Sequence, residues 1–291
     1  EDVVRRFFLT LWNSYYFFVT YARIDGWTPD ARPAPPVAEE DISIIPATDE
    51  LGNFETRVSG LALWEHPDRP FESAVLAANG TAGLIMISFD AQIVTTVPGN
   101  FDNGLALSYL QTVNGNRAVI AARDTASDSL RLLRTATEPV EISDWDLSGD
   151  TSRLVGARSA LCLVHDYVAN TLVLFARSGN RVERTLIMPT EADGLDISAA
   201  PDLALRNIVA CSGDDMSGTV YLLDDAGRVH VQKALPPDAE PNGESQAEPP
   251  ATELVALPDG DVTRIAVMLQ EGESYLLAMV SSGPYVIYAY Q

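Results

Sequence analysis

At 291 residues, with 46% apolar and 21% charged residues, the chain is long enough for one large β domain or two ordinary ones and too apolar to be disordered throughout. Its 41 acidic residues against 19 basic give a net charge of −22, and Lys233 is the only lysine. That balance argues against a nucleic-acid partner, which needs a positive footprint on its protein, and makes divalent cations such as Ca²⁺ the natural counter-partners.

Residues 3–21 carry the one strong helical pattern, with Val4, Phe7, Phe8, Leu11, Trp12, Tyr15, Phe18 and Val19 spaced at three and four. Asn13 and Ser14 interrupt its apolar stretch, which falls short of the roughly 20 residues a bilayer demands, so no membrane span is expected. From 28 to 46 the composition turns to proline, alanine and acid, an extended linker. A similar stretch at 236–250 reads as a long surface loop. The chain starts at Glu1 and shows no signal peptide, which suggests a fragment or a processed product.

Between and beyond these stretches short apolar runs predict strands. They are Leu61 to Trp64, Ala74 to Ala78, Leu84 to Phe89, Ile93 to Val97, Leu105 to Tyr109, Ala118 to Ala122, Leu130 to Leu133 and Leu161 to Val164. The series continues with Thr171 to Phe175, Val182 to Ile187, Asn207 to Cys211, Thr219 to Leu223, Val229 to Val231, Arg264 to Leu269, Tyr275 to Val280 and Tyr285 to Tyr290. Turn pairs such as Asn79-Gly80, Asn114-Gly115 and Ser178-Gly179 punctuate them. The layout Val75 to Asn79 then Gly83 to Ile87 matches Ile208 to Ser212 then Gly218 to Leu222, and strand groups recur roughly every 40 to 50 residues. An all-β fold, a β-propeller of five to six blades with a short N-terminal helix, is the expectation, ahead of a sandwich.

Cys162 and Cys211 lie far apart in apolar runs, so neither a zinc site nor a disulfide framework is indicated and both read as small core residues. His66, His165 and His230 have no partner at metal-ligand spacing, and no Gly-x-Ser-x-Gly is present. The acidic pair Asp214 and Asp215 reads on residue type as a solvated turn first and a metal site second.

The stretches Leu61 to Pro67, Val75 to Leu84 and Phe101 to Tyr109, followed by Val119 to Ala122 with Leu130 to Leu133, Ala160 to His165 with Val182 to Arg184, and Tyr275 to Ser282 with Tyr285 to Tyr288, resemble successive blades of the β-propeller phytases. That resemblance spans about residues 47–291 and implies six blades, calcium held by acidic residues, and hydrolysis of inositol hexakisphosphate by metal-activated water. It places Asp214 and Asp215 in the family's acidic calcium loop and leaves Asn103 and Arg123 as phosphate-binding candidates. At the same time Gly60, Gly80, Phe101, Ala106 and Thr125 stand where the family carries metal ligands and phosphate clamps, and the chain stops a blade short. The expectation is therefore a degenerate, non-catalytic phytase-like domain that assists phytate hydrolysis by an attached or partner phytase domain. An active calcium-dependent phytase and a protein-interaction propeller are the alternatives. Family context implies a periplasmic or extracellular location.

Residues 1–29, with Arg5 to Tyr15, Phe17 to Ala22 and Ile24 to Trp27, resemble isoleucyl-tRNA synthetases at the helix entering their anticodon-binding domain. They include none of the synthetase's nucleotide-binding motifs, so no aminoacylation follows, and a fused reading frame is the simplest expectation. The domain organisation read from the sequence is thus 1–27 helix, 28–46 linker and 47–291 propeller.

Overall fold

In the computed structural model the described residues are 58–66, 69, 72–89, 92–147, 152–235, 252–253, 262–270, 273–280 and 286–290. The sequence-predicted helix at 3–21, the linker and the loop at 236–250 lie outside them.

The described strands form five antiparallel sheets, each a meander in chain order. The first contains β1 (Gly60–Trp64), β2 (Ala74–Ala78), β3 (Leu84–Ser88) and β4 (Ile93–Val97). The second contains β5 (Phe101–Thr112), β6 (Gly115–Asp124), β7 (Ser129–Arg134) and β8 (Ser152–Val155). The third contains β9 (Ser159–Asp166), β10 (Thr171–Ser178), β11 (Arg181–Pro189) and β12 (Leu195–Ala200). The fourth contains β13 (Ile208–Asp214), β14 (Thr219–Asp224), β15 (Val229–Lys233) and β16 (Thr252–Glu253). The fifth contains β17 (Val262–Gln270), β18 (Glu273–Val280) and β19 (Val286–Tyr290).

What joins the sheets is chiefly face-to-face packing, with a few hydrogen bonds beside it such as the Gly80–Phe101 backbone bridge. Four apolar clusters lie between successive sheets: Trp64, Leu76 and Met86 meet Phe101, Leu105 and Ile120; Leu110, Leu130 and Leu132 meet Leu163, Leu172 and Leu174; Val164, Val173 and Phe175 meet Val220 and Leu222; and Leu223 and Val229 meet Val262 and Leu276. A single middle strand feeds two of them, because successive side chains point to opposite faces. In β6, Ala118, Ile120 and Ala122 enter the first cluster while Val119 and Ala121 enter the second. This double burial explains why the middle strands read as continuous apolar runs, each large side chain contributing about 1.5 to 3 kcal/mol on burial.

The first strands pack on one another in chain order, β1 on β5, β5 on β9, β9 on β13 and β13 on β17. Glycine allows two of these approaches: a Cβ on Gly104 of β5, where φ is +105°, would meet the Ala160 carbonyl oxygen of β9 at 2.4 Å, and one on Gly213 of β13 would meet Val164 at 2.5 Å. Radial four-stranded meanders whose first strands adjoin and whose cores lie between blades make the fold a β-propeller. Among the described residues β17 shows no comparable packing on β1, and Leu61 and Leu63 of β1 are 63% and 48% exposed.

Two sequence expectations change. The matched layouts at 75–87 and 208–222 are both hairpins, but the first joins the second and third strands of its blade and the second joins the first and second strands. They resemble each other because any hairpin buried on both faces has the same apolar pattern. The cysteines are also not separate core residues: Cys162 of β9 and Cys211 of β13 form a disulfide, with Cα atoms 5.5 Å apart, that links the first strands of the third and fourth blades. Their distance in sequence hid an adjacency that exists only once two blades pack.

Candidate functional site

The first strands all run the same way, since Gly104 faces Ala160 near their starts while Asn170 Nδ2 donates to the Gln111 carbonyl 2.9 Å away near their ends. The turns that close each first hairpin therefore gather at one end of the propeller. Their tips are apolar and exposed: Val113 at 71%, Tyr167 at 56%, Val168 at 101% and Met216 at 70%, on three successive blades. Beside them an open cleft of about 340 Å³ runs between Val113 and the turn Pro189, Thr190, Glu191.

The turns themselves are built by aspartates. Asp166 accepts from Ala169 N at 3.0 Å, and Asp214 accepts from Met216 N at 3.0 Å and from Ser217 Oγ at 2.6 Å. Four residues after each, Asn170 (φ +45°) and Gly218 (φ +61°) occupy the left-handed region that lets the chain reverse. Asp124 and Asp128 (φ +43°) repeat the device in a second hairpin of the other end. This spacing, aspartate then Asn, Asp or Gly four residues on, was legible in the sequence and is a signal that strand periodicity passes over.

Asp215 is different from its neighbour. Its Oδ1 accepts from the His165 backbone N–H at 2.9 Å and its Oδ2 from Ser108 Oγ at 3.4 Å. Ser108 belongs to the second blade and Asp215 to the fourth, so the carboxylate reaches across the end of β9. Burial pushes its pKa up, against the lowering effect of the His165 N–H. Burial likewise lowers His165, whose ring lies 4.1 Å from that of Tyr167 and whose Nδ1 is buried without a partner. The Tyr109 hydroxyl is also buried and unpaired; burial and then the charge of Glu65 raise its pKa. Tyr167 is raised by burial and by Asp215.

Behind this rim the second and third blades are tied by charge. Arg117 of β6 contacts Asp193 Oδ2 at 3.2 Å and Arg134 of β7 contacts it at 3.4 Å, both guanidinium groups being nearly enclosed. A separate group of metal-like spacing, His66, Glu72 and Glu141, surrounds the Arg69 guanidinium, which lies 2.9 Å from Glu72 Oε1, 2.9 Å from His66 Nε2, and is bonded to Glu141 as well. A cation already sits there.

The four residues singled out from sequence fall at two ends. Asp214 and Asp215 lie at the hairpin end, and among the described residues no third His, Cys or carboxylate joins them at ligand spacing. Arg123, near the end of β6, lies at the opposite end, where its Nη2 is 3.6 Å from Asp128. Asn103 lies in the irregular stretch of β5 between Phe101 and Leu105, toward that same opposite end. Three of the positions weighed in the sequence comparison serve packing: Phe101 is fully buried with Arg131 over its ring, Ala106 is buried, and a Cβ on Gly60 would meet Leu105 Cβ at 2.9 Å. Glu65, Tyr109, His165 and Tyr167 were missed as a group, because each stands alone in sequence and only the parallel first strands assemble them.

Among the described residues no helix is long and apolar enough to cross a membrane. No family model matches the chain, and no curated protein matches it. Among solved structures it is similar to BBS1N in complex with ARL6DN (15% identity over 80% of this chain, TM-score 0.43), and it spans 65% of that chain's length. It is also similar to the BP39L lectin from Burkholderia pseudomallei (12%, 80% of this chain and 70% of that one, TM-score 0.45) and to Kluyveromyces lactis Hsv2 (8%, 81% and 73%, TM-score 0.41). At these scores the β-propeller fold rests on the blade order and the inter-blade cores.

Proposed function

We propose that the protein is a non-catalytic binding propeller whose hairpin end docks a protein partner. The observation that carries this reading is the set of exposed tips Val113, Tyr167, Val168 and Met216. Large apolar side chains at adjacent turn tips are costly to hold in water and cost nothing once covered, which is how rigid scaffolds present binding loops. A double variant, Val168→Asp with Met216→Asp, tests it: a specific protein retained from an extract of the source by the wild type and lost by the variant, at unchanged melting temperature, supports the reading. Equal retention overturns it.

The phytase-like reading is second. It rests on the sequence resemblance and on the paired carboxylates at the hairpin end, and it makes calcium and inositol hexakisphosphate the ligands, outside the cytoplasm. The core roles of Phe101, Ala106 and Gly60 favour assistance over turnover within it. Phosphate release from inositol hexakisphosphate, with and without Ca²⁺, and the melting temperature in each condition decide it, since a ligand of the native state must raise that temperature.

A further inference from the structure

Around Asp215 the polar groups are mostly acceptors, and the one lysine of this end, Lys233, is already engaged, donating to the Ser217 carbonyl at 2.6 Å and to Thr219 Oγ1 at 3.4 Å. Asp215 and Glu65 have no Lys or Arg partner among the described residues. His165, only 2% exposed, lies beneath this surface with its Nδ1 enclosed and without a partner. The Tyr109 oxygen is unpaired and the Tyr167 face is half open. A carboxylate beside an exposed aromatic face, as Asp215 lies within electrostatic reach of Tyr167, is the complement of a cation, and a protein of net charge −22 draws cationic partners toward it. Resting on the docking role above, we propose that the hairpin end captures an arginine or lysine side chain of the partner, its cationic head between Asp215, Glu65 and Tyr167 and its neighbouring residues on Val168 and Met216.

The probe is a fluorescent peptide, acetyl-Leu-Arg-Leu-amide, beside analogues with Lys or Gln at the centre, titrated into the full chain. The Arg and Lys peptides are expected to bind at least about tenfold tighter than the Gln peptide, to weaken with salt, and to lose about tenfold in Asp215→Asn and severalfold in Tyr167→Ala. Equal affinity for the Arg and Gln peptides, no response to Asp215→Asn, or no peptide binding at millimolar concentration would each overturn the inference. If only the Val168→Asp, Met216→Asp variant weakens binding, the partner docks through the apolar tips alone: the cation reading falls while the docking role stands. If Ca²⁺ raises the melting temperature of the wild type but not of Asp215→Asn and displaces the peptide, Asp215 is a metal ligand and the inference is overturned.

Discussion

Two aspartates of the fourth blade, Asp215 and Asp224, end or follow neighbouring strands at opposite ends of the propeller and have opposite environments. Asp224 accepts from Ala226 N at 3.0 Å, Arg228 N and Nε at 2.9 Å each, and lies 3.1 Å from His230 Nε2, closing a polar turn. Burial alone would raise its pKa, but these bonds outweigh it and hold the carboxyl below its usual range. Asp215 has one good hydrogen bond, one long one and no cation, and burial prevails. The hairpin tips differ likewise: Thr125 to Asp128, Gly179-Asn180 and Asp225 to Gly227 at one end are polar, while Val113, Tyr167, Val168 and Met216 stand out at the other. The turn aspartate Asp224 is saturated and structural, whereas Asp215 is left with unused bonding capacity.

The contrast requires that the fold be held together independently of the hairpin end. The largest expected effect tests this. Replacing both cysteines by serine, or reducing the disulfide, should cost about 4 kcal/mol in urea unfolding, because the bridge closes a loop between positions 49 apart in sequence. Peptide or partner binding at the hairpin end should persist below the new midpoint. Next, Asp224→Ala should cost about 2 to 3 kcal/mol, since it strips acceptors from Arg228, His230 and two backbone N–H groups. That stabilisation is present above the unfolded aspartate value of about 4 and is lost as pH falls through the lower folded value, so the gap between Asp224→Ala and wild type should close in acid. A gap that persists unchanged to pH 2 would mean the charge of Asp224 is not what holds the turn. Val168→Asp, fully in solvent, should move stability by no more than about 0.5 kcal/mol while abolishing docking.

Strand existence was legible wherever both faces are buried. Every first, second and third strand of the five blades was anticipated, as was β4, within a few residues at each end. The strands that escaped, β8, β12 and β16, are all fourth strands. They lie at the outer edge of a blade with one neighbour, and Ser152-Arg153-Leu154-Val155 alternates between exposed and half-buried positions without a single fully buried residue. Their sequence is under little pressure to be apolar, so composition cannot mark them. Of the site, sequence placed Asp214 and Asp215 but gave both the same role; the distinction between a carboxylate that builds its own turn and one that reaches across two blades arises from packing between residues 107 apart.

Asp215→Asn is another small expected change in stability and the sharpest test of the contrast. A group whose pKa is raised on folding favours its protonated form in the native state. Its contribution is fully present below the unfolded value and is lost as pH rises through the raised folded value. Asparagine keeps an acceptor for the His165 N–H and removes the charge, so it imitates the protonated acid. At pH 7 the variant should therefore be no less stable than wild type, within about 1 kcal/mol, and the two should converge below pH 4. If it is instead destabilised at pH 7 as much as Asp224→Ala, then Asp215 is another turn aspartate held by its charge, as saturated as Asp224, and the apolar tips alone remain to recruit a partner.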